Sequence, residues 1–130
     1  MTSVAVVVPL STRASLTADE EISLRHLEHF LGKYDKYFVA PEGMSFARPG
    51  FETTFFPGKY FGSASAHGRL QFSEGFYARF EAYKYILMYH LDSLVLSDQL
   101  AKWCETGLDL IGPPWLPSDH SPWVKRPQVG

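Results

Sequence analysis

Residues 84–100 read KYILMYHLDSLVLSDQL, an apolar run broken by one acid, Asp92, before it resumes. A carboxylate inside an apolar run is costly unless it stands at the edge of the run or has a partner. The end of a buried strand meets that condition, and open α/β sheets bind their ligands there. Asp92 therefore has two readings: a turn residue after a strand, or a carboxylate that holds a ligand. His90 precedes it by two positions, and residues i and i+2 of a strand share a face. The two side chains could point together, or His90 could make a structural hydrogen bond at the strand end. Other residues with chemical potential read more plainly. His26 and His29 lie one turn apart on a predicted helix with no third ligand in view, which suits a solvated face. Cys104 stands beside Trp103 with nothing to activate it, which suits a buried, inert thiol. The stretch GSASAHG, residues 62–68, could bring backbone N–H groups to a phosphate or could be a mobile loop.

These residues need elements to position them. SVAVVVPL is a continuous β-branched run, as expected of a strand covered on both faces. TADEEISLRHLEHFLG reads as a helix: Thr17 and Glu20 have capping-box spacing, and Asp19, Glu20 and Glu21 suit its positive end. Leu24, Leu27 and Leu31 mark its apolar face, and Gly32 its stop. KYFVAPEG and FETTFF predict a second and a short third strand. Residues 57–70 predict a Gly- and Ser-rich loop. SEGFYARFEAY predicts a short helix capped by Ser73, and YILMYHL a central strand. Ser97 is the expected cap of a helix over DQLAKWCET that Gly107 ends, and LDLIGPPW predicts a further strand. Strands alternating with helices imply a three-layer α/β/α sandwich with a parallel or mixed sheet.

Composition narrows the class. The chain of 130 residues fits one domain, and 45% hydrophobic against 20% charged residues indicate a globular protein. A net charge of −2 with no basic block argues against nucleic-acid binding. The run VAVVVPL is too short to span a bilayer and lacks the flanks of a signal peptide, so the cytoplasm is the default compartment. A single cysteine excludes an internal disulfide framework and a cysteine-rich zinc site. No GxGxxG and no Walker loop follows the first strand, which argues against a dinucleotide site or a P-loop ATPase. A metal-dependent hydrolase would need a cluster of carboxylates and histidines, and only the His-x-Asp pair is present.

The block FSEGFYARFEAYKYILMYHLDSLVLSDQLAKWCETGLDLIGPPW resembles the signature of the domain-of-unknown-function family numbered 5672. That signature runs approximately Phe-Tyr-x-Arg-Phe, Tyr-x-Tyr-Ile-Leu-x-Tyr-Gln-x-Asp, Trp-Cys, then Asp-Tyr-Ile-Gly-Ala-Pro-Trp. VAVVVPL, LTADEEISLRHLEHFLGKYD and VAPEG resemble its opening, so the likeness covers essentially the whole chain. Such families resemble glycosyltransferases of the GT-A, Rossmann-like fold. The resemblance implies a mostly parallel sheet and binding of a nucleotide-sugar donor, such as a UDP-sugar, with an unknown acceptor. It implies a divalent metal, manganese or magnesium, at the end of the central strand, held by Asp92 and His90 where those enzymes usually carry Asp-x-Asp. Magnesium prefers oxygen ligands, while manganese also accepts imidazole. The family more often has glutamine at the position of His90. Arg69 matches an Arg or Lys and would either pair with the diphosphate or stand on the surface. Glu42 would contact base or ribose, and Pro9 and Leu10 would line the cleft through backbone atoms. Where the family shows Tyr-Asn before Arg69, this chain has His67 and Gly68. Family members continue for about as long again through a glycine-rich segment. Residues 1–115 are thus expected to form a nucleotide-sugar-binding half-domain, and 116–130 a proline-rich polar tail leading to a missing acceptor half that would carry the catalytic base. An open sheet edge would then favour self-association. The other reading is a non-catalytic or vestigial nucleotide-binding fragment.

Overall fold

A computed structural model describes residues 3–112. Its centre is β1 (Val4–Pro9), in which Ala5, Val6, Val7 and Val8 are fully buried. A strand with no exposed side chain must be covered on both faces and paired on both edges. β2 (Asp35–Pro41) and β4 (Tyr85–Met88) supply the two edges, and β3 (Phe51–Phe56) extends the sheet beyond β2. All pairings are parallel, in the order β3-β2-β1-β4. The apolar run from Tyr85, expected to be central, is therefore an edge strand among the described residues. All of its residues are half-buried.

The faces of β1 separate by alternation. Val6 and Val8, with Phe38 and Ala40 of β2, pack under α1 (Ala18–Phe30) through Leu24, Leu27 and Leu31. Val7 and Val39 face the other way, towards Leu70, Phe76 and Phe80. Those side chains come from α2 (Ala64–Gln71), α3 (Glu74–Ala78) and the turn after α3. The result is a small three-layer α/β fold with an all-parallel sheet.

α1 begins as its sequence predicts. The Thr17 side chain accepts from the Glu20 backbone N–H, and the Glu20 carboxylate accepts from the Thr17 N–H. The helix ends at Leu31, and a Cβ on Gly32 would run into the carbonyl of Glu28, so the chain turns away where only glycine fits. His29 is exposed as expected, but His26 is half-buried, with Nδ1 3.1 Å from the carbonyl of Val95.

Three predicted elements differ. Residues 57–70 are a single 3₁₀ turn (Gly58–Tyr60) followed by α2, not a loop. The Ser63 side chain caps α2 by accepting from Ala66 N–H, and Ala66 and Leu70 give it one buried stripe. Gly62, at φ +100°, makes the turn into it in the left-handed region open to glycine. α4 (Leu100–Cys104) has Gln99, not Ser97, at its N-cap, and the Asp98 carboxylate accepts from Leu100 N–H. Residues 108–112 form no strand. The remainder of that predicted strand and the polar tail lie outside the described residues. Cys104 is only half-buried, and burial followed by the neighbouring Glu105 charge pushes its thiol up, as an inert cysteine requires.

Parallel neighbours normally need a long crossover, usually a helix. β2 and β3 are joined by residues 42–50 without one. The loop does a helix's covering work with Met44 and Phe46, which pack on the core under α1. Arg48 fastens it, donating to Glu21 at 3.0 Å through both terminal nitrogens and to Glu28 at 2.7 and 3.2 Å. The Arg48 hydrogen bond is the main reason the Glu21 carboxyl is held below its ordinary value of 4.5. Such a lowered group stabilises the fold fully above its unfolded pKa, and that contribution fades as pH falls through the folded one. Arg48→Ala is expected to cost about 1–2 kcal/mol at neutral pH, the range for a partly exposed, charge-assisted network. Melting curves of the two proteins should converge as pH falls through the lowered pKa of Glu21. A gap that persists in acid would show that Arg48 acts through packing alone.

Candidate functional site

The chain leaves β1, lays β2 and β3 on one side, and returns to place β4 on the other. The direction of strand order thus reverses between β1 and β4. Loops leaving the carboxyl ends of two such strands diverge to opposite faces and open a crevice, which is where open α/β sheets bind ligands. A hollow of about 480 Å³ lies at this point. Pro9, Leu10, Ser11, Thr12 and Arg13 line it from the end of β1, and His90, Leu91 and Asp92 from the end of β4. Gly62, Ser63 and His67 add the start of α2. Another hollow, of about 530 Å³, opens among Lys33–Tyr37 and Gly50–Glu52. It sits at the amino ends of the strands, where the parallel sheet has no diverging loops to shape a site.

The expected strand geometry of His90 and Asp92 does not hold. β4 ends at Met88, and the chain turns, with Ser93 N–H donating to the His90 carbonyl at 3.0 Å. Both side chains are exposed at this turn. What fixes the turn is Tyr89, which points back under it into the core and is 5% exposed. Its hydroxyl contacts the Ser23 side chain at 3.0 Å and carbonyl at 3.0 Å, the Ser93 carbonyl at 3.2 Å and the Val95 N–H at 3.3 Å. Ser23, the one buried polar residue of α1, also donates to the Ser93 carbonyl. A single phenol thus joins α1 to both limbs of the turn that carries Asp92.

The electrostatics are sparse. Arg13 is spent on Glu20 at 3.2 Å. The Glu20 carboxyl is held below its ordinary range, chiefly by the Thr17 backbone N–H. Asp92 makes no hydrogen bond or ion pair among the described residues, so its charge is free to meet a ligand. His67 was not expected from sequence. Its ring stands edge-on to that of His90, with centroids 5.4 Å apart, and its Nε2 lies 2.9 Å from Gln71 Nε2. Burial, and then the nearby His90, hold the His67 pKa below 6.5. The signal for it was the cap at Ser63 and the Ala66–Leu70 spacing, which make residues 64–71 a helix and not a loop.

Of the expected contact residues, Pro9, Leu10, His90 and Asp92 meet in this hollow. Arg69 and Glu42 do not line it. Arg69 is exposed on α2, and Glu42 is exposed beyond β2, its N–H bonded to the Phe56 carbonyl at 2.9 Å. Among the described residues no three of His, Cys, Asp or Glu converge to hold a metal ion. Asp92 and His90, exposed together at the turn, are two candidate ligands, fewer than a closed metal site needs.

The family model described as "Protein of unknown function (DUF5672)" matches residues 50–130. The chain belongs to this family. The match includes α2, β4 and the His90–Asp92 turn. Residues 1–49, which were expected to share the family's opening, lie outside it. No curated protein and no solved structure matches the chain. No helix among the described residues is long and apolar enough to cross a membrane.

The Tyr89 hydroxyl should matter for both stability and shape. Tyr89→Phe leaves the Val95 N–H without its side-chain acceptor, while the Ser23 hydroxyl keeps the Ser93 carbonyl, a cost of about 1–3 kcal/mol. Amide exchange should quicken across residues 90–95 while β1 and β2 stay protected. Unchanged exchange in the turn would mean that backbone bonds alone hold it.

Proposed function

We propose that this chain is a nucleotide-sugar-binding domain of the GT-A glycosyltransferase type, taking the donor diphosphate at the carboxyl ends of β1 and β4. The observation that carries this reading is the hollow at the reversal of strand order, with an unpaired carboxylate, Asp92, at its rim. Its volume of about 480 Å³ suits a nucleotide. The backbone at Ser11 and Thr12, just past the last ladder bond from Leu10 N–H to the Val39 carbonyl, offers polar groups to the ligand. Arg13 can exchange its exposed contact with Glu20 for a phosphate oxygen, since guanidinium binds either oxyanion. Asp92 and His90 would hold a divalent cation against the diphosphate. When bound, such a cation offsets the charge that develops on a departing nucleoside diphosphate. Tyr89 keeps the turn in place, so that Asp92 meets the ligand without first being ordered.

One observation favours binding without transfer by the described residues. Of the two carboxylates lining the hollow, Glu20 is committed to Thr17 and Arg13. Asp92 cannot both hold a cation and take a proton from an acceptor hydroxyl. A general base for that step would come from elsewhere in the protein.

UDP with Mn²⁺ is expected to raise the melting temperature. At a hundredfold excess over Kd, binding adds about 2.7 kcal/mol, roughly 10 °C for a domain of this size. Asp92→Ala should remove most of the shift while leaving the unliganded melting point within about 1 °C, because the side chain is exposed and unpaired. No shift with any nucleoside diphosphate, with or without metal, would overturn the reading.

A further inference from the structure

Two aromatic residues, Tyr60 and Phe61, line the same hollow as Asp92. They stand at the end of the 3₁₀ turn that leads from β3 into α2. Two backbone bonds hold that turn. Tyr60 N–H donates to the Pro57 carbonyl at 3.2 Å, and Phe61 N–H to the Gly58 carbonyl at 3.1 Å. Gly62 follows, and a Cβ placed on it would lie 3.8 Å from Thr12 Cγ2. The aromatic turn thus abuts the loop after β1. Both rings are half-buried against the core beneath α2 and α3. Phe56, Phe76 and Phe80 of that core engage one another's rings. Phe61 has no aromatic or cationic partner among the described residues. Lys59 stands over the Tyr60 ring, 5.1 Å from its centroid, and the Tyr60 hydroxyl makes no hydrogen bond among those residues. With histidine neutral, the charged groups lining the hollow are Arg13, Glu20 and Asp92. Arg13 and Glu20 pair at 3.2 Å, and Asp92 has no counter-ion among the described residues. The lining therefore carries one uncompensated negative charge, which repels a free diphosphate. A nucleotide that enters without a cation must draw its affinity from its base, and a base has a π-face for a free ring to meet.

We propose that Phe61 is the platform on which the nucleobase of the ligand stacks, with the Tyr60 hydroxyl bonding to the base edge or the ribose beside it. The proposal rests on the cleft being a nucleotide site and deepens that reading by naming the residues that take the base. It divides the hollow by chemistry. The aromatic turn serves the base, while Ser11, Thr12 and Arg13 serve the phosphates. Stacking tolerates any base. A hydroxyl both donates and accepts, so Tyr60 adds a directional contact that the phenyl ring cannot.

The experiment titrates the whole chain, with a chelator present, with UDP, ADP, uridine and inorganic pyrophosphate, and reads binding by saturation-transfer NMR and calorimetry. UDP, ADP and uridine are expected to bind saturably, with transfer strongest to the base protons, and pyrophosphate not to bind. Phe61→Leu keeps an apolar side chain against the core but removes the ring, and should weaken UDP roughly tenfold or more. Phe61→Tyr restores a ring and should bind as the parent does, which separates stacking from a folding defect. Tyr60→Phe should weaken UDP and uridine alike. Phe72→Leu, at a 90% exposed phenylalanine that does not line the hollow, should change nothing. UDP affinity unchanged in Phe61→Leu would overturn the platform, as would an equal loss in Phe61→Leu and Phe61→Tyr. Pyrophosphate binding as tightly as UDP without a cation would do so too. Unchanged affinity in Tyr60→Phe would remove the hydroxyl contact. The two readings fail separately. Stabilisation by UDP with Mn²⁺ that survives intact in Phe61→Leu keeps the nucleotide cleft and removes the platform. No binding of any nucleotide to the parent, with or without Mn²⁺, removes both.

Discussion

The fold depends on keeping β1 dry. Four consecutive residues of this strand have no exposed surface, and a bare β-branched strand would cost about 1.5–3 kcal/mol for each large side chain returned to water. The elements around it answer that demand. α1 closes one face, α2 and α3 close the other, and β2 and β4 satisfy the two edges. Both faces matter equally, because alternation sends Val6 and Val8 one way and Val7 the other. The site follows from the same requirement. Strands on both sides of β1 oblige the chain to reverse its direction of travel, and the reversal leaves the crevice that Pro9 and Asp92 border.

Much of this was legible in the residues. The β-branched run, the Thr17–Glu20 capping box, the leucine stripe of α1 and the cap at Ser73 each carry a local physical signature, and each is present. What was misread lacked one. Ala64–Gln71 is built of small and polar residues with a single buried pair, and its Gly and Ser content resembles a loop. The Ser63 cap and the Ala66–Leu70 spacing decide in favour of a helix only when weighed together. The run from Tyr85 looked central because it is apolar throughout. Its apolarity serves the sheet on one side and, with α4 and the segment from Leu108, lines a hollow of about 210 Å³ on the other.

The site was legible to the same degree. A carboxylate after an apolar run pointed to Asp92, and the end of β1 pointed to Pro9 and Leu10. Their meeting depends on strand order, which no local pattern encodes. His67 was invisible for a related reason. It lies far from His90 in sequence, and only the docking of α2 beside the end of β4 brings the rings together. Arg69 is two residues from His67, yet helical geometry turns it away from the hollow, where a loop would have left its direction open.

The register of β1 has a consequence for the order of assembly. Ala5 pairs with Asp35 on one edge and with Ile86 on the other. The first pairing closes a short stretch of chain that contains one helix. The second must gather in α1, β2, β3, α2 and α3 before it gains a single ladder bond, and contacts between residues so far apart form slowly. The half that ends at β3 can therefore settle before β4 arrives. The cleft needs both, so it is completed by the last and longest closure of the chain, and a fluctuation that releases β4 dismantles it while most of the sheet remains.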